Sequence, residues 1–107
     1  MNYELVIVIV NANYSEIAMD AAREEGARGG TIIHARGTGT KMMEEKYGII
    51  ITPEKDMILI LTRKNQRDKI LNSVYKAVGL STDGQGIAFS LPVSDVVGVK
   101  IDSDNSK

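Results

Sequence analysis

The chain has 107 residues, with 13 basic and 14 acidic side chains, a net charge of −1 and no cysteine. This length suits one domain with a core of its own. The charge balance excludes a protein that coats nucleic acid through a basic field. The missing cysteines exclude disulfides and thiolate chemistry, and no apolar run approaches the ~18–20 residues that cross a membrane.

Residues 3–10 form a nearly continuous β-branched run from Tyr3 to Val10, read as a strand apolar on both faces. No basic leader precedes it, and the expectation is a cytoplasmic protein. Asn11 and Asn13 carry turn or cap chemistry, and Asn13 with Glu16 resembles a loose capping box. From Tyr14 onward, Ile17, Ala18, Ala21 and Ala22 recur at helical spacing, and Gly26 stops the helix. A second strand is expected over 30–36. Residues 37–54 show no strand pattern beyond a turn or two of helix over Lys41–Tyr47. Residues 55–62 repeat the doubly apolar pattern as a third strand. A second helix over 63–78 places Ile70, Leu71, Val74 and Val78 on one face and ends at Gly79. After a glycine-rich turn over 80–86, Ile87–Leu91 is a short strand closed by Pro92. Val96–Ile101 is expected as one more strand, and 102–107 as a polar tail outside a single domain of residues 1–101.

Strand–helix–strand followed by strand–helix–strand is the α+β, ferredoxin-like βαββαβ plan, a four-stranded antiparallel sheet. Strands one and three lie in the middle of that plan, and here they are the most uniformly apolar. Two helices cover one face of such a sheet. A second copy of the chain is the simplest cover for the other.

Two glycine turns stand out as candidates for anion binding. In the first, Arg36, Gly37, Thr38, Gly39, Thr40 and Lys41 leave the second strand, with glycines that let backbone amides approach a ligand and cations on either side. The second is Gly84-Gln85-Gly86. The plain alternative for each is a tight exit from a strand or helix. His34 is the only histidine and reads as structural or simply exposed, a poor basis for a metal site. The connection over 37–54 is far longer than a hairpin needs, and connections beyond ~12–15 residues usually carry function. Met42 and Met43 within it suit an adaptable partner-binding face as well as they suit packing.

From Gly84 to Val97 the run Gly-Gln-Gly-Ile-Ala-Phe-Ser-Leu-Pro-Val-Ser-Asp-Val-Val resembles the B-loop and fourth strand of the P-II signalling proteins. Gly30-Thr31 and Gly37-Thr38-Gly39 resemble that family's second strand and T-loop root. The likeness extends over nearly the whole chain and marks it as a divergent relative. It implies a non-enzymatic sensor: a homotrimer that binds an adenine nucleotide between subunits and reports nitrogen, carbon or energy state to a transporter, enzyme or regulator. It also implies a site. Thr31 would meet the base, and Arg36, Gly37, Thr38, Gly39 and Thr40 would root the T-loop. Thr62, Arg63 and Lys64 would line the cleft, Gly84, Gln85 and Gly86 would form the B-loop, and Lys100 would reach phosphates from the C-terminal segment. Lys41, Met42, Met43 and Tyr47 fall in the loop that would engage a partner protein. Three departures bear on phosphate binding. The B-loop lacks the family's lysine, the second C-terminal basic residue is Gly98, and Thr40 replaces an arginine. The residues leave two other readings open. One is a small phosphate-handling enzyme using Arg36 and a carboxylate such as Asp83. The other is a CutA-like structural or metal-associated trimer.

Overall fold

In the computed structural model the described residues are 2–38, 45–46, 48 and 53–99. The elements are β1 (Tyr3–Asn11), α1 (Ser15–Glu24), β2 (Thr31–Arg36), β3 (Glu54–Arg63), α2 (Lys64–Val78) and β4 (Ile87–Pro92). The sheet order is β2-β3-β1-β4, and every neighbouring pair is antiparallel. This is the expected βαββαβ ferredoxin-like fold, with β1 and β3 central.

Period-two geometry sends alternate side chains of each strand to opposite faces. Val6, Val8 and Val10 of β1 and Ile58 and Ile60 of β3 are fully buried beneath the helices. Ala18, Met19, Ala21 and Ala22 of α1 and Ile70, Val74 and Val78 of α2 complete the core. The small alanines let α2 come close, and Ser73 Oγ donates to the Ala21 carbonyl at 2.9 Å. Ile17 lies outside this stripe and is exposed. At the Tyr3 end of the helix-covered face, the buried carboxylate of Glu4 accepts a hydrogen bond from Arg67 Nη1 at 3.3 Å. The hydrogen bonds that Arg67 donates to Asp68 and Glu4 raise its pKa and keep its guanidinium charged.

The uncovered face is apolar across three strands. Leu5, Ile7 and Ile9 of β1 lie opposite Leu61, Leu59 and Met57 of β3, and opposite Leu91, Phe89 and Ile87 of β4. The β1 and β3 members are half-buried, whereas Phe89, Leu91 and Ile87 are exposed. Ile33 of β2, opposite Met57, extends the patch.

Helix ends differ in part from expectation. No capping box forms at Asn13: the N-cap of α1 is Tyr14, without a side-chain cap bond. Asn13 instead adopts φ +80° and donates its N–H to Asp56 Oδ2 at 3.3 Å. The C-terminus of α1 closes as a Schellman turn, with Ala27 N–H to Ala22 O and Gly26 N–H to Arg23 O, both 3.1 Å. Gly26 occupies the left-handed position at φ +103°.

The expected strand over Val96–Ile101 is not seen in its described part. Val96–Val99 are irregular, Val97 is 94% exposed, and Gly98 turns the chain at φ +88°. Pairing beyond β4 ends with the Val93 N–H bond to Tyr3 O. The free edges of the sheet are the outer sides of β2 and β4, and the described part of this segment pairs with neither. Lys100 and Ile101 lie outside the described residues, as does most of the helical turn expected over Lys41–Tyr47; Glu45 and Lys46 are helical.

Candidate functional site

The candidate residues divide between the two ends of the sheet. At the Asn11 end lie the root of the long connection (Arg36, Gly37 and Thr38) and the second glycine turn (Gly84, Gln85 and Gly86). At the Tyr3 end lie Thr62, Arg63 and Lys64. Thr31 sits between them on the open face, opposite Leu59. Gly39, Thr40, Lys41, Met42, Met43, Tyr47 and Lys100 fall outside the described residues. The span of β1 from Tyr3 to Asn11 separates the two ends by roughly 25–30 Å at ~3.3 Å per residue.

One polar hub ties the two glycine turns together. Lys55 Nζ donates to Asn11 Oδ1 at 2.6 Å, and Asn11 Nδ2 donates to the Asp83 carbonyl at 3.0 Å. The Asn11 backbone N–H donates to Gly84 O at 2.9 Å. The Lys55 stem crosses Gly37 so closely that a Cβ there would lie 2.9 Å from Lys55 Cε. The sequence alone does not single out Asn11 and Lys55 as the link between these turns. The available signal was a lysine opening an otherwise apolar strand.

The glycines of this end are required by close packing. A Cβ at Gly86 would lie 2.5 Å from Val78 O and 2.8 Å from Val10 Cγ1, and one at Gly84 would lie 3.0 Å from Val78 Cβ. Several amides are already engaged within the chain. Gly37 N–H donates to Pro53 O, Gln85 N–H to Thr82 O, and Gly86 N–H to Val78 O. Gln85 holds a left-handed φ of +46°. The turns therefore present to a ligand fewer amides than their glycine content suggests.

His34, two residues before Arg36, lies on the helix-side face of β2. Its Nδ1–H donates to Asp56 Oδ1 at 3.0 Å; the carboxylate is buried and the imidazole exposed. Asp56 thus orients His34 and pins the Asn13 turn. Among the described residues no three His, Cys, Asp or Glu side chains group as a metal site.

Two hollows differ in chemistry. A groove of about 570 Å³ between α2 and β4 is walled by Leu71, Tyr75, Val78, Leu80 and Ile87, and no lysine or arginine lines it. A smaller cleft of about 220 Å³ at the Tyr3 end is lined by Tyr3, Arg28, Thr62, Arg63 and Gln66, with Val99 from the C-terminal segment. The larger hollow suits apolar surface, and the smaller one is lined by polar and cationic side chains.

The model of the nitrogen regulatory protein P-II family matches residues 3–103. The PII protein of Arabidopsis thaliana, solved with citrate bound, is 26% identical; the match covers 92% of this chain and 81% of that one, with a TM-score of 0.69. A putative PII-like signalling protein of Thermus thermophilus shares the fold at 18% identity, over 87% of this chain and 90% of that one, with a TM-score of 0.64. So does a protein of unknown function from Pediococcus pentosaceus, at 17% identity, over 92% and 99% of the two chains, with a TM-score of 0.66. None of the curated proteins compared matches the chain. With a family model spanning almost its full length and the βαββαβ sheet in place, this chain belongs to the nitrogen regulatory protein P-II family.

Proposed function

We propose that the chain is a non-enzymatic sensor that assembles as a homotrimer and binds an adenine nucleotide between neighbouring subunits. Binding then alters the affinity of the 37–54 connection for a partner protein. The observation that carries this reading is the separation of the candidate residues. Arg36–Thr38 and Gly84–Gly86 lie at one end of the sheet and Thr62–Lys64 at the other, so one chain holds two half-sites that do not meet. A head-to-tail arrangement of copies brings unlike ends together, and three of them close a ring. The bare apolar face over β1, β3 and β4 gives such an assembly its driving force. The citrate bound to the Arabidopsis relative supports a small anionic effector as the class of ligand. No described helix is long and apolar enough to cross a membrane, in keeping with a sensor that works in the cytoplasm.

In this arrangement Thr31 contacts the base, and the 36–40 segment and the 84–86 turn approach the ligand from one subunit. Residues 62–64 and Lys100 approach from the next. The Lys55–Asn11 hub links the two glycine turns, so movement at either is felt at the root of the long connection. Calorimetry with ATP, ADP and AMP on the purified protein tests the reading. Saturable heat with at least one of them is the expected result. The absence of heat and of any thermal shift at millimolar concentration would overturn the nucleotide assignment.

A further inference from the structure

We propose that Lys55 is a phosphate-binding residue of the ligand site, held between the two glycine turns by Asn11. This assignment deepens the proposed function and rests on it. The 84–86 turn carries no lysine or arginine of its own, and Lys55 supplies the cation from β3.

Three observations carry it. The first is place. Lys55 and Asn11 are direct partners across β3 and β1, the next pair after Met57 and Ile9 on the uncovered face. Asn11 reaches the second turn through the Asp83 and Gly84 carbonyls, and the Lys55 stem lies against Gly37 of the first. The ammonium therefore sits where both turns can share a ligand with it. The second is charge. Lys55 is half-buried, and a charge taken partly out of water calls for a counterion. Among the described residues its hydrogen-bond partner is the neutral Asn11 amide, at 2.6 Å. That amide occupies one of the three ammonium donors and cancels none of the charge. The nearby carboxylates are placed elsewhere. Asp56 is turned to the helix-covered face and bonded by His34 and the Asn13 N–H. Glu54 lies opposite Arg36, and Asp83 is exposed. The third is Gly37. A Cβ there would lie 2.9 Å from Lys55 Cε and 3.2 Å from Cγ, so a side chain at this position would push the lysine aside. The Gly37 N–H is already donated to Pro53 O. This glycine thus admits a cation to the root of the long connection.

The ligand class follows from the donor. An ammonium is a compact point charge that suits a phosphate oxygen, and it offers nothing specific to a base. Each added phosphate brings more negative charge to it, so Lys55 favours ATP over AMP and is indifferent to adenosine. Asn11 is the positioning residue: its Oδ1 holds the ammonium, while its Nδ2 and N–H carry the contact on to the 84–86 turn.

The test titrates the full-length protein with ATP, AMP, adenosine and tripolyphosphate by calorimetry, in the wild type and in Lys55→Gln and Lys55→Arg. Lys69→Gln, on the exposed side of α2, removes the same charge elsewhere. Circular dichroism confirms folding. Lys55→Gln should lose roughly ten-fold or more in ATP and tripolyphosphate affinity, the size of one hydrogen bond to a charged group. Its affinity for adenosine should stay within about two-fold, as the proposed contact is to phosphate alone. Lys55→Arg should recover part of the loss, and Lys69→Gln should bind as the wild type does. A smaller loss of ATP affinity in Lys55→Gln would overturn the role of Lys55 and leave the nucleotide reading standing. So would an equal loss for adenosine, which marks a purely structural link, or an equal loss in Lys69→Gln. Tripolyphosphate binding that is lost in Lys55→Gln, in a protein that binds no adenine compound, would uphold Lys55 and overturn the nucleotide. A wild type that binds none of the four probes overturns both. If Lys55→Gln does not fold, lysine acylation of the wild type read by mass spectrometry decides. ATP should slow labelling of Lys55 and leave Lys69 unchanged; equal labelling of Lys55 with and without ATP would overturn the assignment.

Discussion

The two ends of the sheet treat glycine and charge in opposite ways. At the Asn11 end, glycines admit close contacts: Gly37 against the Lys55 stem, and Gly84 and Gly86 against Val78. One cation there, Lys55, is turned inward onto Asn11. At the Tyr3 end, Gly26 closes a helix in a left-handed conformation, and Arg28 and Arg63 line a small cleft. A glycine-rich turn is therefore a weak guide to an anion site until its amides are accounted for. At the first end, tight packing and internal hydrogen bonds explain the glycines. At the second, cationic and polar side chains line a small cleft.

Substitutions at the glycines sharpen this contrast. Gly86→Ala should have the largest effect. Its Cβ would meet two backbone oxygens and Val10, none of which can swing away, and overpacking of this kind costs about 1–3 kcal/mol. Chemical denaturation of the variant should place it near the top of that range; a stability within about 0.5 kcal/mol of wild type, the spread of neutral surface changes, would show that the 84–86 turn is looser than its contacts imply. Asn11→Ala removes the link between the glycine turns. Losing the bonds to Lys55 and Asp83 should cost about 1–2 kcal/mol, and amide exchange should quicken at Gln85 and Gly86 while the Tyr3 end is unchanged. Gly26→Ala should cost about 1–2 kcal/mol through its left-handed φ, because the crowding comes from the flexible Gln66 side chain. Gly29→Ala should be the mildest, within about 0.5 kcal/mol, since nothing lies within 4 Å of its Cβ position.

How much was legible in the sequence follows the same division. The central strands and both helices were readable, because β-branched runs, alanines at helical spacing and the glycines at 26 and 79 are local signals. The strand expected over Val96–Ile101 does not form over Val96–Val99, because an apolar pattern does not reveal whether a segment pairs with a sheet edge; the edges at β2 and β4 are not used by it. Asn13 looked like a helix cap, yet its positive φ and its bond to Asp56 depend on where β3 lies. The site was half legible. The glycine turns were visible as candidates, but the destination of their amides is set by Val78, Thr82 and Pro53, contacts that only the folded chain defines. Arg28 reads in sequence as an ordinary loop cation. The Schellman turn at Gly26 brings it to the same cleft as Arg63, distant in sequence at the end of β3.

The central claim is that the ligand site is completed by a neighbouring subunit, with one end of the sheet from each copy. Subunit mixing tests it most directly. Arg36→Gln disables the Asn11-end half-site and Arg63→Gln the Tyr3-end half-site, and each variant alone should bind ATP poorly. After the two are unfolded together and refolded as mixed trimers, about one interface in four joins two intact halves by random assortment, and that fraction of sites should recover wild-type affinity. Mixed trimers that bind no better than the separate variants would contradict the account, because they would place the whole site within a single chain.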